Sequence, residues 1–142
     1  MHRLTLSQAN ALIDAAFAKG AELGLKPLTV AVLDPGGYLI AAQRQDTCSN
    51  VRVKLAQGKA AGALALGVSS RAIGKMAEDR PHFVAAVDTM SEGGMVPAAG
   101  GVIVCDGAGT IVGAIGVTGD TSDNDEACAL GAIEKVGLKA LP

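Results

Sequence analysis

Residues 92–126 read EGGMVPAAGGVIVCDGAGTIVGAIGVTGDTSDNDE and hold nearly half of the chain's nineteen glycines together with its densest run of carboxylates. Two apolar, β-branched segments, 102–104 and 110–117, flank Asp106-Gly107-Ala108-Gly109. Glycine there supplies the positive φ that a tight antiparallel turn requires. The second segment runs through Gly119 into an acidic helix start, where the first backbone N–H groups have no intrahelical partner. Such a junction either receives an anion or is closed by its own caps. Asp120, Thr121 and Ser122 are the candidate caps, and Asp123, Asp125 and Glu126 complement the helix dipole, which makes capping the plainer reading of the acidic run. Ala127, Leu130, Ile133 and Leu138 are read as the apolar face of this last helix.

Working back towards the N-terminus, Met95-Val96-Pro97 reads as a short strand that proline confines to a sheet edge. Pro81 suits a first helical position and opens a turn through His82, Phe83 and Val87, and Ser69-Ser70 opens a helix ending near Asp79. A longer helix, capped by Ser49 or Asn50, runs through Val51, Leu55, Ala56, Ala60, Ala63 and Leu64 to Gly67. Lys59 interrupts it, four residues from both Leu55 and Ala63, so its ammonium either snorkels to solvent or meets an anion. Upstream, 28–34 and 38–44 flank Pro35-Gly36-Gly37 as a β-hairpin, which Arg44 closes at a strand end. Thr5-Leu6-Ser7-Gln8 is a capping box, and Leu12, Ile13, Ala16, Phe17 and Leu23 stripe the first helix up to Gly24. The order of elements predicts a single α+β domain over 1–142, an antiparallel sheet of about five strands packed with helices.

The composition narrows the function. Net charge is −2, and Phe17, Tyr38 and Phe83 are the only aromatics, so neither a basic patch nor a stacking surface for nucleic acid is present. No segment approaches the apolar length of a membrane span, and the N-terminus has no signal-like apolar core; a cytoplasmic protein is expected. Cys48, Cys105 and Cys128 are odd in number and widely spaced, as suits reduced thiols. A high apolar fraction with few charges favours a homo-oligomer, dimer or higher.

Several motifs fail on inspection. The glycines at 107, 109 and 113 are one residue too long for a dinucleotide fingerprint, and Gly74-Lys75 lacks the Ser or Thr of a phosphate loop. The carboxylates after Gly119 do not have calcium-loop spacing. What remains is a glycine-lined pocket with lysine, arginine, carboxylates and one histidine.

Taken together, V-x-D-x-G-G-x-L-x-A-x-x-R-x-D at Val32 to Asp46, Gly100-Gly101, and G-A-I-G-V-T-G followed by Asp125-Glu126 resemble the GlcG/HbpS family, similar also to the C-terminal domain of PduO. The resemblance implies a profilin-like or PAS-like sandwich that assembles into oligomers, with members binding haem or corrinoids. The chain departs from many relatives in placing Gly62 where they carry a threonine. Iron ligation would then fall to His82, His2 or Met95.

Two functional readings follow, with a third beside them. In the first the chain is a binding module for a haem-like or corrinoid tetrapyrrole, held by Lys59, Arg44, His82, Gly93, Gly94 and Gly119, with Lys59 and Arg44 on the carboxylates and His82 on the metal. In the second it is a small-molecule catabolic enzyme, an isomerase, hydratase or hydrolase, with Lys59 or Arg44 holding a substrate carboxylate and Asp125, Glu92 or His82 moving a proton. The third is an accessory assembly subunit.

Overall fold

The computed structural model describes residues 2–142. Helix α1 (Leu6–Glu22) starts at the expected capping box: the Gln8 N–H donates to Thr5 Oγ1 at 3.1 Å and the Thr5 N–H to Gln8 Oε1 at 2.9 Å. The helix ends before Leu23, which is exposed rather than part of the apolar stripe. Strands β1 (Thr29–Leu33) and β2 (Leu39–Arg44) follow as an antiparallel hairpin. Its turn is locked by Asp34, whose Oδ1 accepts from the N–H groups of Gly36 and Tyr38 at 2.9 and 3.0 Å. The turn between β3 (Gly101–Cys105) and β4 (Ile111–Thr118) repeats the device, with Asp106 Oδ1 accepting from Ala108 and Thr110 at 3.0 and 2.9 Å. In both, an aspartate side chain does what a backbone carbonyl does in a tighter turn.

The chain is α+β, with five antiparallel strands in the order β2-β1-β4-β3-β5. The fifth strand differs from the expected one. Residues 95–97 form no strand; β5 is Lys139–Ala140, which pairs with Cys105 and Val104 at the edge of β3. The 95–97 segment lies instead on helix α2 (Arg52–Leu66), where Gly58 faces Val96 and Gly62 faces Met95. A Cβ at Gly58 would come within 2.8 Å of Val96, so glycines four residues apart make the groove that takes the segment away from the sheet.

Alternation sorts the strands onto two faces. Val30, Val32, Val102, Val104, Ile115 and Val117 join Leu12, Ile13, Ala16, Cys128, Ala132 and Ile133 in the main core, so α1 and α5 (Ser122–Lys135) cover one face. Ala31, Leu33, Ile103, Ala114 and Gly116 turn to the other face, under α2. There the helix rests almost on backbone: a Cβ at Gly116 would overlap the carbonyl of Ala56, and one at Gly101 the carbonyl of Lys59. Helices α3 (Ser70–Asp79) and α4 (Pro81–Met90) complete this layer.

Two local expectations are corrected. The start of α2 has no side-chain cap from Ser49 or Asn50; Val51 occupies the cap position with helical dihedrals. In α5 the buried face is Asp125, Cys128, Ala129, Ala132 and Ile133, while Leu130 is 43% exposed. The helix is rotated from the expected phase because it buries Asp125. Among the described residues no helix is long and apolar enough to cross a membrane.

Candidate functional site

Lys59 projects from α2 towards the sheet. Its Nζ donates to the Val117 carbonyl at 3.0 Å and to Asp125 Oδ2 at 3.2 Å, and the two side chains are 4% and 1% exposed. Asp125 Oδ1 in turn accepts from the Asp120 N–H at 2.9 Å. Gly100, at φ +131°, leaves the space: a Cβ there would sit 2.9 Å from Lys59 Nζ. Lys59 therefore does not snorkel. Burial pulls its pKa below the ordinary lysine value, an effect that the charge and hydrogen bond of Asp125 oppose and that the nearby charge of Arg52 adds to.

The rest of the acidic run is engaged as well. Thr121 is the α5 cap, its Oγ1 accepting from the Asn124 N–H. Asp120 accepts from Asn124 Nδ2 and from the N–H groups of Lys26 and Thr121, which hold its carboxyl down at about 2. Arg71 of α3 clasps Glu126 and Asp123, and these hydrogen bonds push its already high pKa up further. Among the described residues no group of three or more His, Cys, Asp or Glu side chains could hold a metal ion. The run ties α5 to α2 and α3.

The expected site residues thus separate. Lys59, Asp125 and Gly119 gather at the junction between β4 and α5, closed from solvent apart from Gly119. Arg44 is exposed at the end of β2, lining a groove of about 540 Å³ with Phe17, Lys26 and Asp46. His82 is exposed on the first turn of α4 and lines neither that groove nor the two hollows described below. Glu92, Gly93 and Gly94 lie on the far side of α2 from Lys59's ammonium, where a Cβ at Gly93 would meet that of Ala61 at 2.6 Å.

That far side carries a cleft made of two adjoining hollows. The hollows, of about 500 and 530 Å³, share Gly37, Ala61, Glu92 and Gly93. Leu39, Leu64 and Tyr38 wall the first; Leu33, Leu55, Met95 and Val96 wall the second, with Lys54 and Asp88 at its margin. Among the described residues Lys54, Asp88 and Glu92 have no ion-pair partner within 4.0 Å. Of the residues lining this cleft, the sequence singles out Glu92, Gly93 and Gly94 as candidates but not Tyr38, Lys54 or Asp88. The available signal was the pair of Gly-Gly turns, 36–37 and 93–94, with Gly58 and Gly62 one helical turn apart between them.

Residues 4–134 match the family model for "Haem degrading protein HbpS-like". Among solved structures, a PduOC–haem complex superposes with a TM-score of 0.85 at 21% identity over 99% of each chain. A double mutant of Streptomyces reticuli HbpS gives 0.82 at 26% identity, over 96% of this chain and 89% of that one. Klebsiella pneumoniae protein ORFY gives 0.84 at 23%, over 96% and 92%. No curated protein sequence matches the chain.

Proposed function

Since the chain belongs to the HbpS-like family, we propose that it binds haem, and that the ring lies in the cleft over α2 between the two Gly-Gly turns. The observation that carries this reading is the donor set in that cleft. Among the described tyrosine, histidine and methionine side chains, Tyr38 and Met95 line it, and Met95 is buried in a cluster with Ile73 and Val84. Tyr38 is 66% exposed, and a phenolate is an established ligand of haem iron. Leu39, Leu55, Ala61, Leu64 and Val96 would face the ring, and Lys54 would pair with a propionate. Lys59, expected in that last role, is committed to Asp125, and breaking that pair would leave a buried carboxylate without its counter-charge.

When bound, haem supplies a redox-active iron. The chain's own part is to orient the ring by the apolar walls, to hold a carboxylate at Lys54 and to present the Tyr38 oxygen. Tyr38 and Leu39 leave apolar surface exposed at the rim, as does Met90 next to Ser91 of the cleft. This supports a homo-oligomer in which a second copy covers the rim. The three free thiols, two of them buried, suit a reducing, cytoplasmic setting.

Lys59, expected to hold a substrate carboxylate, and Asp125, expected to move a proton, are engaged with each other and line none of the grooves described, which favours the haem reading over the catalytic one. The test is a titration of purified protein with haemin, run beside cobalamin. A saturable Soret change at micromolar protein is expected, altered in Tyr38→Phe, weakened in Lys54→Ala and unchanged in His82→Ala. A spectrum identical to free haemin throughout would sink the reading, and saturation by cobalamin alone would turn it to a corrinoid.

A further inference from the structure

Three neighbouring strands carry Arg44, Thr29 and Thr118 in register, Thr29 standing opposite both of the others. Side chains directly opposite in adjacent antiparallel strands project from the same face. That face is the one under α2, because Arg52, the first residue of α2, donates from Nη1 to Thr118 Oγ1 at 2.9 Å. Arg44 Nη1 reaches Asn50 Oδ1 only at 3.4 Å. Among the described residues neither guanidinium has a carboxylate within 4.0 Å.

Between them lies an orphan. Thr29 is fully buried, and its Oγ1 makes no hydrogen bond among the described residues. Leaving a buried hydroxyl without a partner costs about 1–3 kcal/mol, so a polar group is called for at this point. The start of α2 points to the same sign of charge: it has no side-chain cap and no acidic residue in its first turn, and its N–H groups carry partial positive charge. Asp125, the buried acid of this layer, is already bound to Lys59. Arg44 is exposed and Arg52 half-buried, so the charged end of this face meets solvent, while Thr29 lies buried behind it.

We propose that Arg44, Arg52, Thr29 and the uncapped start of α2 form a binding site for a small oxyanion, either an inorganic one or the carboxylate of an organic acid. The two guanidiniums take its charge, and Thr29 Oγ1 donates to its inner oxygen. The site lies on the sheet side of α2 and does not depend on haem, so it stands or falls independently of the cleft around Tyr38.

The experiment is thermal unfolding of the haem-free protein in inorganic phosphate, in acetate and in chloride at matched ionic strength, with backbone amide NMR shifts as a second readout. Expected are a saturable rise in Tm over chloride in phosphate, acetate or both, and shifts of the Thr29, Val53 and Lys54 amides. The apparent affinity should fall at least about tenfold in R44Q, the loss of roughly one charge-assisted hydrogen bond. R52Q and T29V should lower it too. Because Arg44 is exposed, R44Q tests the site even if R52Q, which also loses its bond to Thr118, fails to fold. A rise in acetate alone assigns a carboxylate, and one in phosphate an inorganic oxyanion. Equal anion responses in wild type and R44Q, or no response beyond chloride, would overturn the proposal.

Discussion

Lys59 and Asp125 stand 66 residues apart in the chain, yet their charged atoms meet at 3.2 Å with almost no exposure to water. The pair joins α2 to the start of α5 across the end of β4, where Val117 also accepts from the ammonium. Removing one partner leaves the other charge buried, so Lys59→Met and Asp125→Leu should each lower stability by about 3–5 kcal/mol. The double variant should lose much less than the sum. Urea denaturation of the four proteins reads this directly, and additive losses would show that the pair carries no coupling.

The contact of α2 with the sheet makes a sharper demand. Gly116→Ala drives a methyl group into the Ala56 carbonyl, a backbone atom that cannot rotate away. A loss of about 3 kcal/mol is expected, at the upper end of overpacking costs. Gly107→Ala, where nothing lies within 4 Å, should be close to neutral in the same denaturation series.

Acid sensitivity should trace to Asp120. Its carboxyl is held at about 2, below the 3.8 of an unperturbed aspartate, chiefly by the Asn124 side chain and then by two backbone N–H groups. A folded-state pKa below the unfolded value means that the unfolded chain takes up the proton first. The stabilisation is therefore complete above about pH 4 and lost as the pH falls towards 2. The stability difference between wild type and Asp120→Ala should shrink over that interval. A difference that stays constant from pH 5 to 2 would refute the assignment.

The thiols should react in two classes. Burial pushes Cys105 up and Cys128 to about 11, Asp125 adding to the latter, so thiolate at these positions is scarce at neutral pH. Cys48, partly exposed in the loop after β2, should account for the single fast thiol in a native Ellman titration. The other two should appear only in denaturant. Fast labelling of Cys128 in native protein would contradict its burial.

How much of this was legible in the sequence depends on range. The hairpins announced themselves because Asp34 and Asp106 act within four residues of their own positions, and the first helix because Thr5 and Gln8 cap each other. The fifth strand did not. Residues 95–97 have strand-like composition, but Gly58 and Gly62, more than thirty positions upstream, offer them a helix groove instead, while two residues at the C-terminus take the vacant edge. The phase of α5 was misread for a related reason: an aspartate is assumed to face water unless its lysine is known to arrive from elsewhere. The candidate cleft was half visible, through Glu92, Gly93 and Gly94. Its other wall, Tyr38 with Leu39, comes from a turn that reads locally as nothing more than a hairpin end.

The β1–β2 pairing skips Ile40: Val32 stands opposite Ala41, and Leu33 opposite Leu39. This bulge sits in the outermost strand on one side, and the other side ends in a strand of two residues. Neither border offers a long, regular ladder on which a further chain could crystallise strand by strand. At high concentration the protein should therefore stay in discrete particles rather than grow into fibres. Any assembly it forms is then expected to join copies through side chains rather than by extending the sheet.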